Sequence, residues 1–265
     1  MTLLDALTTF LEAASTVSKW RTLAPLEKKL EKQLGLAFAA QGKLFLDKFA
    51  ANKSKFSEAL TPSDWIGMWN AVTGATEQLF LDPIQNAVTA SMDAAAEELI
   101  ADLEVDYTFD LENPLAVEYV EEHGAELVAD INSTTRDYLK TVITEGTEQG
   151  WSYDRMAKAI SDRFVDFAVG RPQDHIDSRA HLVAVTETGM AYEHGNFIVA
   201  KDLTKAGLKM EKKWSTMGDS KVDPHCLANE AQGWIPIDKR FSDGSMQPLS
   251  HPGCRCTALY RRARP

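Results

Sequence analysis

Up to about Gly207 this chain repeats apolar side chains at helical spacing, and beyond it that period gives way to short alternating runs. Leu3, Leu4, Leu7, Phe10, Leu11 and Ala14 follow a 3.6-residue repeat, which lines one face of a helix with apolar groups. Pro25 stands where a first-turn proline would open a second helix through Leu30, Leu34 and Phe38. Pro62 repeats the device, with Thr61 or Ser63 as the cap of a helix carrying Trp65, Met68, Trp69 and Val72. Trp65 and Trp69 are one turn apart, so both belong to a core face. Gly74 predicts an interruption, followed by a helix from Pro83 to about Leu103.

Residues 104–114 break the periodicity. Val105, Tyr107 and Phe109 alternate with Asp or Thr, and Asn113-Pro114 disfavours helix at Asn113, so the segment reads as an extended connector and domain boundary. It divides a helical region, 1–110, from a second domain, 111–265. Helices are then expected at about 115–131, 134–147 and 153–164, with Ser133 and Ser152 capping the second and third. A longer helix from about Gln173 passes Ile176, Ala180, Ala184 and Met190. Its four-residue steps place Arg179, Val183, Glu187 and Ala191 on one face. Three short runs, Lys213–Thr216, Trp234–Ile237 and Arg255–Tyr260, are separated by Gly, Pro, Asp and Ser and predict strands. The fold class is therefore α+β: a mostly helical chain with a small antiparallel sheet at about 208–262 in the C-terminal lobe.

All three cysteines fall in the same lobe, within His225-Cys226 and His251-Pro252-Gly253-Cys254-Arg255-Cys256. Thiolate and imidazole are preferred zinc ligands, and a lobe with few apolar residues is where a metal can stand in for a core. Three readings stay open at this stage: zinc held by Cys226, His251, Cys254 and Cys256, a buried polar network without metal, or a reactive centre. Cys254 and Cys256 would share one face of a strand, which permits joint ligation. Under the zinc reading His225 is an outer hydrogen-bond partner.

The net charge of −11 is unevenly spread. Residues 1–110 hold 9 basic and 16 acidic side chains (−7), residues 111–210 hold 10 and 17 (−7), and residues 211–265 hold 9 and 6 (+3). The acidic bulk repels nucleic acid; only the tail, with Lys212, Lys213, Lys239, Arg240, Arg255, Arg261, Arg262 and Arg264, offers an edge for weak DNA contact. No apolar run is long enough to span a bilayer, and no basic-then-apolar leader opens the chain, so a reducing cytoplasm without a membrane partner is expected. An odd number of cysteines argues against a disulfide framework.

Taken in order, these fragments resemble the phage Mu F-like head-morphogenesis family of minor capsid proteins over about residues 110–262. Asn113-Pro114, Tyr119, Ile131-Asn132, Thr134-Thr135 and Gly146 through Ser152 resemble its opening helices. Arg179-Ala180, Thr186-Glu187-Thr188 and Ala191-Tyr192 resemble its central helix. Lys213-Trp214, Asp219, His225, Pro236-Ile237-Asp238, Phe241, Pro248, His251-Pro252 and Cys254-Arg255-Cys256 resemble its closing segment. At one place the chain departs, with His225-Cys226 and Asn229 where some members carry Cys-x-x-Cys.

The resemblance implies a minor structural protein of a tailed phage or prophage rather than an enzyme. Its implied partners are the portal and major capsid proteins, during head assembly and DNA packaging or delivery. Its implied location is the head interior or portal vertex of the virion, and the host cytoplasm during assembly. The chain lacks a phosphate-cradling glycine loop, a Gly-x-Ser-x-Gly elbow and a His-Glu-x-x-His motif, so no residue is assigned a catalytic role. Arg179, Glu187, Asp219, His225 and Arg255 are expected as a structural polar network, with Glu187 near Arg255, Arg179 or His225. The alternative is a small nuclease-like or ADP-ribosyltransferase-like enzyme or toxin using Glu187, His225, His251 and Arg255.

Overall fold

The computed structural model describes residues 3–53, 62–169, 176 and 178–263, with side chains of residues 3–17, 62, 63, 168 and 169 left aside. Among them are six helices, α1 (Leu3–Ala51), α2 (Pro62–Asp102), α3 (Pro114–Glu148), α4 (Tyr153–Val169), α5 (Arg179–Lys205) and α6 (Pro224–Ala231). Three strands, β1 (Met210–Ser215), β2 (Ile235–Pro236) and β3 (Thr257–Arg262), form an antiparallel sheet in the order β2-β1-β3. The mostly helical α+β class and the position of the sheet agree with the sequence reading.

The helices are fewer and longer than expected. Pro25 lies inside α1 and Pro83 inside α2, and Gly74 does not interrupt α2. An internal proline costs roughly 3 kcal/mol in a helix. Buried Leu23 and Leu30 flank Pro25, and buried Phe80 and Ile84 flank Pro83; packing at these positions offsets that cost. Residues 115–147 likewise belong to one helix. The expected cap region at Ser133 lies in its interior, where Thr134 and Thr135 turn their hydroxyls onto the carbonyls of Asp130 and Ile131. Such back-bonding satisfies the hydroxyl without ending the helix. Ser152 does cap α4, accepting the Arg155 N–H at 3.3 Å.

The expected start of α5, Gln173, and the candidate cap Thr61 lie outside the described residues. Ile176 is not helical, and α5 opens at Arg179 behind Ser178, whose Oγ accepts the His181 N–H at 2.9 Å. The break expected at 104–114 is present as non-helical backbone between α2 and α3, with turns at 103–104 and 111–112 on either side of residues 105–110.

The chain divides into two compact units, each made of separate stretches. Unit 1 comprises Met1–Lys28, Asn86–Val120 and Val183–Pro265; unit 2 comprises Lys29–Gln85 and Glu121–Leu182. The connector therefore lies inside unit 1. In unit 2, Phe38, Phe45, Phe49, Trp69, Phe80 and Phe167 form an aromatic core, with Trp65 and Trp69 both buried as expected. In unit 1, Leu99, Phe197, Leu203, Met210 and Ile237 make one apolar cluster, with Val105, Tyr107 and Phe109 of the connector packed on it. A second cluster joins Trp214, Phe241 and Leu249 to all three cysteines. Gly195 lets α5 approach α2, since a Cβ there would sit 2.5 Å from the Met92 carbonyl oxygen.

Candidate functional site

The lobe after α5 brings its cysteine side chains together through three local devices. The first is α6, which the sequence reading missed. Asp223 caps it by accepting the His225 N–H at 2.8 Å, and Pro224 occupies its first turn. The helix buries Cys226 and Asn229 while leaving His225 exposed, because neighbouring helical residues face different directions. His225 is thus not placed as a hydrogen-bond partner of the cysteines. Asn229 is engaged elsewhere: its Oδ1 accepts from Ser242 Oγ at 2.6 Å and the Asp243 N–H at 3.2 Å.

The second device is a turn, His251-Pro252-Gly253-Cys254. The Cys254 N–H donates to the His251 carbonyl at 3.2 Å, and Gly253 has φ of 73°. Proline at the second position and left-handed glycine at the third are the signature of a type II turn. The Gly253 N–H donates to Thr186 Oγ1 of α5 at 3.0 Å, which fixes the turn against the core helix. The third is the extended approach to β3, where buried Cys254 and Cys256 flank half-buried Arg255. The two cysteines share a side as expected, but they precede β3 rather than lying on it.

Cys226, Cys254 and Cys256 are all buried, and their sulfurs lie within 4.8 Å of one another. Cys226 Sγ is 3.7 Å from Cys254 Sγ, 3.6 Å from His251 Nε2 and 3.8 Å from Ser250 Oγ. His251 Nδ1 lies 3.1 Å from the Pro252 carbonyl oxygen. The hydrogen bond from Cys256 brings the Cys254 thiol down to about 6 despite burial. Burial pushes the Cys226 thiol up to about 11, and the bond to Cys254, with burial, raises Cys256. The cysteines are free thiols.

The polar residues singled out in the sequence form several separate interactions. Arg255 holds Asp219 through two parallel bonds of 2.8 Å, and this keeps the Asp219 carboxyl down at about 2. Arg179 donates to Thr135 Oγ1 at 2.8 Å and to the Ile131 carbonyl at 3.0 Å, and its guanidinium lies over the rings of Phe38 and Phe167. Burial lowers Arg179 to about 10. Glu187 is buried in α5, where its charge adds to burial in raising the Tyr119 hydroxyl.

A different carboxylate ties α5 to the cysteine segment. Glu193 Oε1 accepts from Lys19 Nζ and from Thr257 Oγ1, each at 2.7 Å, and its Oε2 accepts the Ala258 N–H at 2.9 Å. Lys19 Nζ also donates to the Cys256 carbonyl at 2.7 Å. Glu193 and Lys19 are both buried. The sequence does carry a signal for this: from Ala180 to Ala200 the only Asp, Glu, Lys or Arg residues are Glu187 and Glu193, so a carboxylate in that run needs a partner from another element.

The basic edge expected at the tail is partly consumed within unit 1. Lys212 is buried, with its Nζ donating to the Met246 carbonyl at 2.6 Å, and burial brings it down to about 8. Arg261 pairs with Glu211 at 2.8 Å and stacks on Trp234. Arg264 lies outside the described residues.

These features define an α+β lobe with a buried thiol cluster, flanked by one imidazole, beside its sheet. Residues 137–259, from within α3 to within β3, match the family described as Phage Mu protein F like protein. The resemblance read in the sequence is thus matched over that segment. No curated protein and no solved structure matches the chain. Among the described residues no helix is long and apolar enough to cross a membrane.

Proposed function

We propose that this protein is a minor capsid component that associates with the portal and major capsid proteins during head assembly, and with DNA packaging or delivery thereafter. The observation that carries this reading is the Mu F-like match over residues 137–259. That match covers Arg179, Asp219, Arg255 and the cysteine cluster, so the residues that organise the lobe lie inside the matched segment. The reading places residues 111–265 as the head-morphogenesis domain and the acidic helices before it as the docking element, since long helices present stripes that partners bury. It places the protein at the head interior or portal vertex.

The test is purification of the tagged, full-length protein from cells in which the phage is assembling. Portal and major capsid proteins should be recovered with it. Recovery of neither, from lysates in which both are abundant, would overturn the proposal.

A further inference from the structure

We propose that Cys226, His251, Cys254 and Cys256 hold one zinc ion in a closed, structural site that clips α6 to the segment leading into β3. This goes beyond a role in head assembly and rests on geometry alone. A tetrahedral zinc with sulfur at about 2.3 Å and imidazole nitrogen at about 2.0–2.1 Å has S···S edges of about 3.8 Å and S···N edges of about 3.6 Å. The Cys226–Cys254 separation is 3.7 Å and the Cys226–His251 Nε2 separation is 3.6 Å. Cys256 completes a trio whose sulfurs lie within 4.8 Å of one another. The three sulfurs, with the His251 imidazole against Cys226, supply the soft donors that zinc prefers, and small adjustments bring all four to one ion.

The histidine is oriented for ligation. Its Nδ1–H donates to the Pro252 carbonyl at 3.1 Å, which leaves the Nε2 lone pair free toward Cys226 Sγ, 3.6 Å away. A metal-bound imidazole is held in place by the same kind of outer bond. A disulfide is a poorer account of the site. The Cys226 and Cys254 sulfurs are 3.7 Å apart, far beyond a bond of about 2.05 Å, and a third sulfur and an imidazole would remain unexplained. The indole N–H of Trp214, buried in the same cluster, has no hydrogen-bond acceptor of normal geometry, and such a donor favours negative charge on neighbouring sulfur.

The lobe has a use for such a clip. Between Ser215 and Thr257 the regular structure consists of one eight-residue helix and one two-residue strand. The rest is without regular structure, and a metal joining residue 226 to residues 251–256 closes that loop region beside the small cluster of Trp214, Phe241 and Leu249. All four ligands come from the protein and the sulfurs are buried, so the site leaves no position open for a substrate.

The experiment is metal analysis of the full chain purified with its thiols reduced, together with cobalt(II) replacement. The wild type should carry about one zinc per chain, as a closed four-ligand site requires. Its cobalt form should show thiolate-to-cobalt charge transfer and the intense visible bands of tetrahedral coordination. Cys226→Ser, Cys254→Ser and His251→Ala should each lose the metal. His225→Ala, next to a ligand but facing solvent, should keep it. If the cysteine variants fail to fold, the wild-type cobalt spectrum and the His225→Ala metal content still decide the matter. Wild-type protein with reduced thiols, metal far below one per chain and no tetrahedral cobalt spectrum would overturn the proposal, as would equal loss of zinc from His225→Ala and His251→Ala.

Discussion

Glu193 illustrates how a single buried charge can organise several segments. It accepts three hydrogen bonds, from Lys19, Thr257 and Ala258, and with its partner Lys19 it joins α1, α5 and the start of β3 within unit 1. Both side chains are withdrawn from water, so breaking the pair strands a charge, at a cost of about 3–5 kcal/mol. Glu193→Ala should therefore lower unfolding stability by about 3–5 kcal/mol in urea titration. Adding Lys19→Met to Glu193→Gln should cost less than the sum of the two single changes, because the double variant buries no unpaired ion. Additive losses would contradict the pairing. At this scale the sequence was informative about the thiol cluster, since three cysteines and two histidines in one short tail cannot be missed. It was less informative about carboxylates. The four-residue steps through Arg179 drew attention to Glu187, whereas Glu193 lies off that register and its partner is 174 residues away.

Elements were legible where local patterns act alone. The turn chemistry at His251-Pro252-Gly253-Cys254 and the cap at Ser152 depend on neighbouring residues, and both appear as sequence patterns of a kind that short-range reasoning can read. Pro25, Pro83 and the Ser133 region were misread as boundaries because tertiary packing overrides local preference in α1, α2 and α3. Helix α6 was missed although Asp223-Pro224 is a fair start signal, because the segment was read through its ligands and turn residues. Close approach of α2 and α5 is likewise invisible in the sequence except as Gly195. A methyl group there would meet the Met92 carbonyl oxygen at 2.5 Å and its Cα at 2.9 Å, both backbone atoms that yield little. Gly195→Ala should destabilise the protein by about 1–3 kcal/mol or more, read as a lower urea midpoint at unchanged slope. An unchanged midpoint would show that the two helices are not held this close.

On the scale of the whole molecule, each compact unit is assembled from stretches far apart in the chain. A linear reading places a boundary where periodicity lapses, and the lapse at 104–113 is real, but the segment packs its Val105, Tyr107 and Phe109 into the core of unit 1. Periodicity reports local conformation and carries no information on which distant stretches share a core. The order of polar and turn residues proved more telling, since the central and closing fragments that resembled Mu F-like proteins fall in the matched segment, 137–259, while those at 113–135 precede it. The proposed role is that of a structural component of phage heads. Quantitative mass spectrometry of purified heads from a producing strain tests it most directly. The chain should be present in the particles at a low, reproducible ratio to the major capsid protein; heads that lack it while the protein accumulates elsewhere in the cell would contradict the claim.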